Sequence, residues 1–123
     1  MSILNVNEIT NGSETVSVET ASQGSAKAWV NFDGTTRVIR DSFNVASITD
    51  NGNARYIITF TNNMPNTNYC WAGSQGNNSS ATGTGRCMNA DGSRTVSNFR
   101  IRTVNISSIQ IEDTYTGVIV FGD

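Results

Sequence analysis

SITDNGNARYIITFTNNMPNTNYCW, residues 47–71, sets out two strand-length runs, each fenced by turn chemistry. Asp50-Asn51-Gly52 is a hairpin signal, because Asn and Gly tolerate the positive φ of tight turns. In YIITF, Tyr56, Ile58 and Phe60 fall on one face of a strand, Ile57 and Thr59 on the other. Asn62, Asn63 and the lone Pro65 end that run, since proline cannot donate to a ladder. Tyr69 and Trp71 then share a face of the next strand, where Trp71 is expected in the core.

The same alternation runs outward in both directions. AKAWVNF (26–32) alternates before the turn dipeptide Asp33-Gly34, and RVIR (37–40) and FNVASI (43–48) are short β-branched stretches. Downstream, RCMNA (86–90) precedes a turn at Asp91-Gly92. In TVSNFRIRTVNI (95–106) Phe99 and Ile101 face away from Arg100 and Arg102, and IQIE (109–112) and GVIVF (117–121) close the chain. Apolar residues recur at two rather than at three and four, so the fold class is all-β, an antiparallel β-sandwich or small barrel. A helix is expected only near residues 14–22. Residues 1–25 stand apart as an extended N-terminal arm: ILNVNEIT (3–10) alternates, Asn11-Gly12 turns, and nothing there could bury a core alone. Residues 26–123 form the knob. GSQGNNSSATGTG (73–85) has no apolar anchor and reads as an exposed loop.

A chain of 123 residues fits one domain with a core of its own. Only 15% of residues are charged and the net charge is −2, so solubility comes from Asn, Ser, Thr and Gly rather than from the high charge of disordered chains. No Lys/Arg block supports nucleic-acid binding: Arg100 and Arg102 are the densest pair, and Glu112 and Asp113 follow. No apolar stretch is long enough to span a bilayer, and MSILNVNEIT lacks the basic start and apolar run of a signal peptide. Neither nucleic acid nor membrane is an expected partner, and synthesis in a cytoplasm is. Cys70 and Cys87 are expected as buried or half-buried thiols, with a single cross-strand bridge as the alternative.

The chemistry of catalysis is sparse. The chain has no histidine, which removes the commonest general base and zinc ligand. GTGRC lacks the Lys and the following helix of a phosphate-binding loop. Asp33, Asp41, Asp50, Asp91, Glu112 and Asp113 could in principle supply the two acids of a glycosidase. Three of them sit at Gly-containing turns, where Asp caps backbone, and Glu112-Asp113 on a strand would point to opposite faces. DNGNA lacks the alternating acids of a calcium loop. The expectation is no catalytic, metal or cofactor site.

Residues 27–69 closely resemble a small module of tailed-bacteriophage virion proteins, found in tail fibres and related surface knobs. The resemblance rests on Lys27–Phe32, Arg40–Asp50, Gly52, Tyr56–Phe60, Met64–Pro65 and Asn68–Tyr69, about a third of the chain, and on the opening ILNVNEIT. It implies a jelly-roll-like β-sandwich knob, commonly trimeric, without catalysis. An arm of about 25 residues after Met1 is too short for a fibre shaft. That favours a homotrimeric capsid cement or decoration protein, assembled in the host cytoplasm and bound to the major capsid protein on the outer surface of the virion. The arm's contact residues would be Ile3, Leu4, Val6 and Ile9. The alternative is the receptor-binding tip of a tail fibre or tailspike. A host surface glycan would then meet an exposed recognition loop of Gln75, Asn77, Asn78, Ser79, Ser80 and Thr82.

Overall fold

The computed structural model describes residues 2–77 and 85–122. The arm holds two short strands, β1 (Glu8–Thr10) and β2 (Thr15–Ser17), paired as a hairpin, and then helix α1 (Val18–Gly24). The helix starts later than the sequence suggests. Residues Thr15–Ser17 are strand, and Ser17 caps the helix by accepting from the Thr20 amide at 3.0 Å.

The knob is a β-sandwich of two four-stranded antiparallel sheets. Its strands are β3 (Ala28–Phe32), β4 (Ile39–Phe43), β5 (Val45–Asp50), β6 (Arg55–Phe60), β7 (Cys70–Gly76), β8 (Arg86–Ala90), β9 (Asn98–Asn105) and β10 (Tyr115–Phe121). The first sheet has the order β4-β3-β10-β7 and the second β5-β6-β9-β8. The strand orders do not establish jelly-roll winding: β3–β4, β5–β6 and β8–β9 are sequence neighbours that pair directly within a sheet.

The core lies between the sheets. Val30, Phe32, Val118 and Val120 come from the first sheet, and Tyr56, Ile58, Phe99 and Ile101 from the second. The alternation of YIITF places Tyr56, Ile58 and Phe60 inside, and that of FRIR places Phe99 and Ile101 inside. Phe60, Tyr69 and Phe99 pack with ring centroids 5.6–6.0 Å apart. Trp71 is half-buried and closes the cluster 5.8 Å from Phe99.

Two connections set the path of the chain, one within a sheet and one between the sheets. Asp50 Oδ1 accepts from the Gly52 amide at 2.9 Å, and Gly52 adopts φ 114°, as the DNG signal requires. The second positive φ falls on buried Ala54 (53°) rather than on Asn51. Ala54 is held there because its amide donates to Glu112 Oε1 and its carbonyl accepts from the Thr103 amide. Asn44 (φ 55°) is the single residue by which the chain passes from β4 in one sheet to β5 in the other. Its carboxamide donates to the Lys27 and Asn62 carbonyls and accepts from the Asn62 amide.

Tyr56 joins the sheets. Its phenol donates to the Gly34 carbonyl at 2.9 Å, and the Gly34 amide donates to the Asp113 carbonyl at 2.9 Å. A Cβ on Gly34 would lie 2.6 Å from the Asp113 carbonyl oxygen and 2.8 Å from the phenol, so glycine is required. Burial pushes the Tyr56 phenol above its ordinary pKa and keeps it a donor.

Two expectations need correction. Cys70 and Cys87 are both exposed and free. Each alternates with an inward neighbour, Trp71 and Met88, so the thiols lie on the outer faces of different sheets, where no bridge can form. IQIE is not a strand: beyond the single bridge between Val104 and Gln110, it belongs to the connection leading to β10.

Candidate interaction surface

The arm hairpin follows from local chemistry. Asn11 Oδ1 accepts from the Glu14 amide at 3.1 Å, and the Thr10 and Thr15 hydroxyls bond at 2.8 Å. Ile9 and Val16 pair on one face, and with Asn11, Glu14 and Ala21 they line a shallow groove. Ile3, Leu4, Val6 and Ile9 do not fold back onto the knob; they are 76%, 85%, 43% and 61% exposed. A lone two-stranded hairpin is marginal in water. Exposed apolar groups on such an element call for a covering surface.

A second apolar surface, missed by sequence reasoning, crosses the outer face of the first sheet. Register aligns Phe43, Trp29, Ile119 and Ala72 in one row across β4, β3, β10 and β7. Phe43 and Ile119 are exposed, and Trp29 is half-buried. Part of the signal was present: Trp29 in AKAWVNF and Ile119 and Phe121 in GVIVF are apolar residues on the outward phase of the alternation. Beside this row, Ser74, Gly76 and Gly117 leave a shallow trough bordered by Asn31 and Tyr115. Arg40 stacks over the Tyr115 ring at 4.6 Å.

The expected recognition loop divides. Residues 73–76 belong to β7. Gln75 turns inward, where its amide donates to the Cys87 and Val104 carbonyls at 2.9 Å, linking the sheets and removing it from any free loop. Asn77 is exposed beyond the end of β7. Asn78, Ser79, Ser80 and Thr82 lie outside the described residues.

The carboxylates weighed as acids are mostly tied to arginines. Asp50 and Glu112 converge on Arg37 Nη2 at 2.8 and 2.7 Å, and Asp33 reaches Arg40 at 3.2 Å. Asp113, in the connection before β10 rather than on a strand, is buried and meets Arg86 Nε at 2.8 Å. Asp41 accepts from the Ser42 amide, and Asp91 lies 3.9 Å from Arg55. Hydrogen bonding from the Thr35 hydroxyl holds the Asp33 carboxyl below its usual range. Among the described residues no group of three or more His, Cys, Asp and Glu is placed to hold a metal, and no helix is long and apolar enough to cross a membrane.

Compared with known proteins, the chain matches no family model, no curated protein and no solved structure.

Proposed function

We propose that the chain is a structural module of a tailed-phage virion. In this reading it is a homotrimeric cement or decoration protein that binds the major capsid protein on the outer capsid surface and reinforces the shell without catalysing a reaction. The observation that carries the reading is the exposed apolar arm, Ile3, Leu4, Val6 and Ile9, joined to a knob with its own core. The resemblance of residues 27–69 to phage surface modules supplies the class of partner.

The physics is linkage. A protein that binds assembled shell but not free subunits stabilises the shell by mass action. Burying one Ile or Leu side chain contributes about 1.5–3 kcal/mol before ordering costs are subtracted, so one arm binds weakly. Three arms on one trimer act at high effective concentration and bind firmly.

A second reading has its own observation. The trough beside Tyr115 combines an exposed aromatic ring with Asn31 and Ser74, the chemistry that stacks on and hydrogen-bonds a sugar. This favours the tip of a tail fibre or tailspike that takes a host surface glycan.

Deleting residues 2–12 from the full chain separates the roles. Added to shells that lack the protein, the truncated form should lose most of its occupancy while its knob melts normally. Equal occupancy would overturn the arm's role, and glycan binding retained by both forms would favour the tail reading.

A further inference from the structure

The charges of the chain are divided unevenly. Residues 1–26 carry Glu8, Glu14 and Glu19 and no Lys or Arg, a charge of −3. Residues 27–123 carry all eight Lys and Arg against seven Asp and Glu, a charge of +1. Among the described residues, no salt bridge engages the three arm glutamates.

The excess positive charge of the knob collects on the outer face of its second sheet. The β6–β9 register sets Arg55 directly opposite Arg102 and Ile57 opposite Arg100. Among the described residues, the one ion pair to these three guanidinium groups is that of Asp91, 3.9 Å from Arg55. Like charges directly opposite on a sheet repel. The Arg102 Nε is also buried and has no acceptor among the described residues, which leaves a donor unmet. The repulsion between these guanidinium groups is what an incoming carboxylate would relieve at the outer face.

We propose that this arginine face receives the acidic N-terminal arm of a second copy of the chain. The two surfaces are complementary in kind. The grooved side of the arm hairpin presents Ile9 and Val16 beside Glu14, and the knob presents Ile57 between Arg55 and Arg100. Apolar contact supplies the affinity; charge supplies direction and encounter rate, because exposed ion pairs add little stability. The same copy's arm leaves its own apolar residues uncovered, so the complement is met between chains. Arm onto neighbouring face is a head-to-tail contact, and such contacts generate closed rings when the rotation closes, a trimer among them. The inference rests on the self-association of the proposed function and gives Ile9 and Val16 to the neighbouring copy, which leaves Ile3, Leu4 and Val6 for the shell.

Sedimentation velocity of the full chain over a concentration series tests it, at about 0.1 M and about 1 M salt, where the screening length falls from roughly 10 to 3 Å. The wild-type chain should associate, and the higher salt should raise the dissociation constant. Glu8→Lys, Glu14→Lys and Glu19→Lys together should raise it at least tenfold, and these exposed arm positions leave the knob core untouched. Arg100→Glu with Arg102→Glu should do the same, and the chain carrying both sets should associate again. Association indifferent to both reversals, or not restored by combining them, overturns the arm–face contact while leaving self-association standing. A wild-type chain that stays monomeric at every concentration overturns both. Saturable binding of an acidic peptide by that monomer would assign the face to a foreign partner.

Discussion

Replacing Tyr56 with phenylalanine removes one oxygen atom and isolates the join between the sheets. The ring stays packed edge-on to Phe32, with centroids 5.1 Å apart and planes at 74°. What is lost is the hydrogen bond to the Gly34 carbonyl at 2.9 Å, inside a site where Tyr56 is 0% exposed. Leaving a buried acceptor unmet costs about 2 kcal/mol. For a chain of 123 residues one kcal/mol moves the melting temperature by about 4 °C, so Tyr56→Phe should melt about 8 °C below wild type. Tyr69→Phe is the comparison. Its phenol donates to the Thr95 and Asn98 carbonyls at a part-buried site, where water can substitute, and about 1 kcal/mol is expected. Gly34→Ala strikes the same join through its close approach to the phenol and the Asp113 carbonyl, so its cost combined with Tyr56→Phe should be less than additive. Scanning calorimetry reads the three single variants and the double variant against wild type. A Tyr56→Phe chain melting within about 2 °C of wild type would show that the phenol does not hold the sheets together.

Asp113→Ala leaves the Arg86 guanidinium without its buried carboxylate and should cost about 3 kcal/mol in urea unfolding; a loss near zero would mean that water replaces the partner. Both thiols of the folded chain should react with maleimide at the rate of an exposed cysteine, and mild oxidation should form no internal bridge between Cys70 and Cys87; a protected thiol or a bridge would contradict their placement on opposite outer faces. Because the folded state depresses the Asp33 pKa, its contribution is complete above the ordinary Asp range and is lost as pH falls through the depressed value. Asp33→Asn should therefore flatten the acid limb of the stability curve, and an unchanged limb would contradict the Thr35 and Arg40 contacts.

The sandwich core was legible where alternation was clean. YIITF and FRIR state which residues face in, and the DNG turn marks a hairpin, because side-chain direction and turn chemistry are local properties. The rest depends on which strands become neighbours. Phe43, Trp29, Ile119 and Ala72 are scattered along the chain, and only the β4-β3-β10-β7 register sets them in one row. Arg55 and Arg102 become opposite partners in the same way. Gln75 was misread because its stretch has no large apolar residue; the strand there is held by pairing with β10 and by two inward amide hydrogen bonds. The cysteines were misplaced because their typical burial is a statistical preference, which the phase of the alternation overrides. The arm was legible as a segment apart from the core, since its apolar residues are too few to form one. Whether it packs on its own knob was not legible, and only the structure leaves Ile3, Leu4, Val6 and Ile9 exposed.

The number of copies per virion tests the cement reading most directly. Quantitative mass spectrometry of intact particles, scaled to the major capsid protein, should find hundreds of copies of the chain, in step with the symmetry of the shell. A few to a few dozen copies would move the chain to the tail, and none would remove it from the particle.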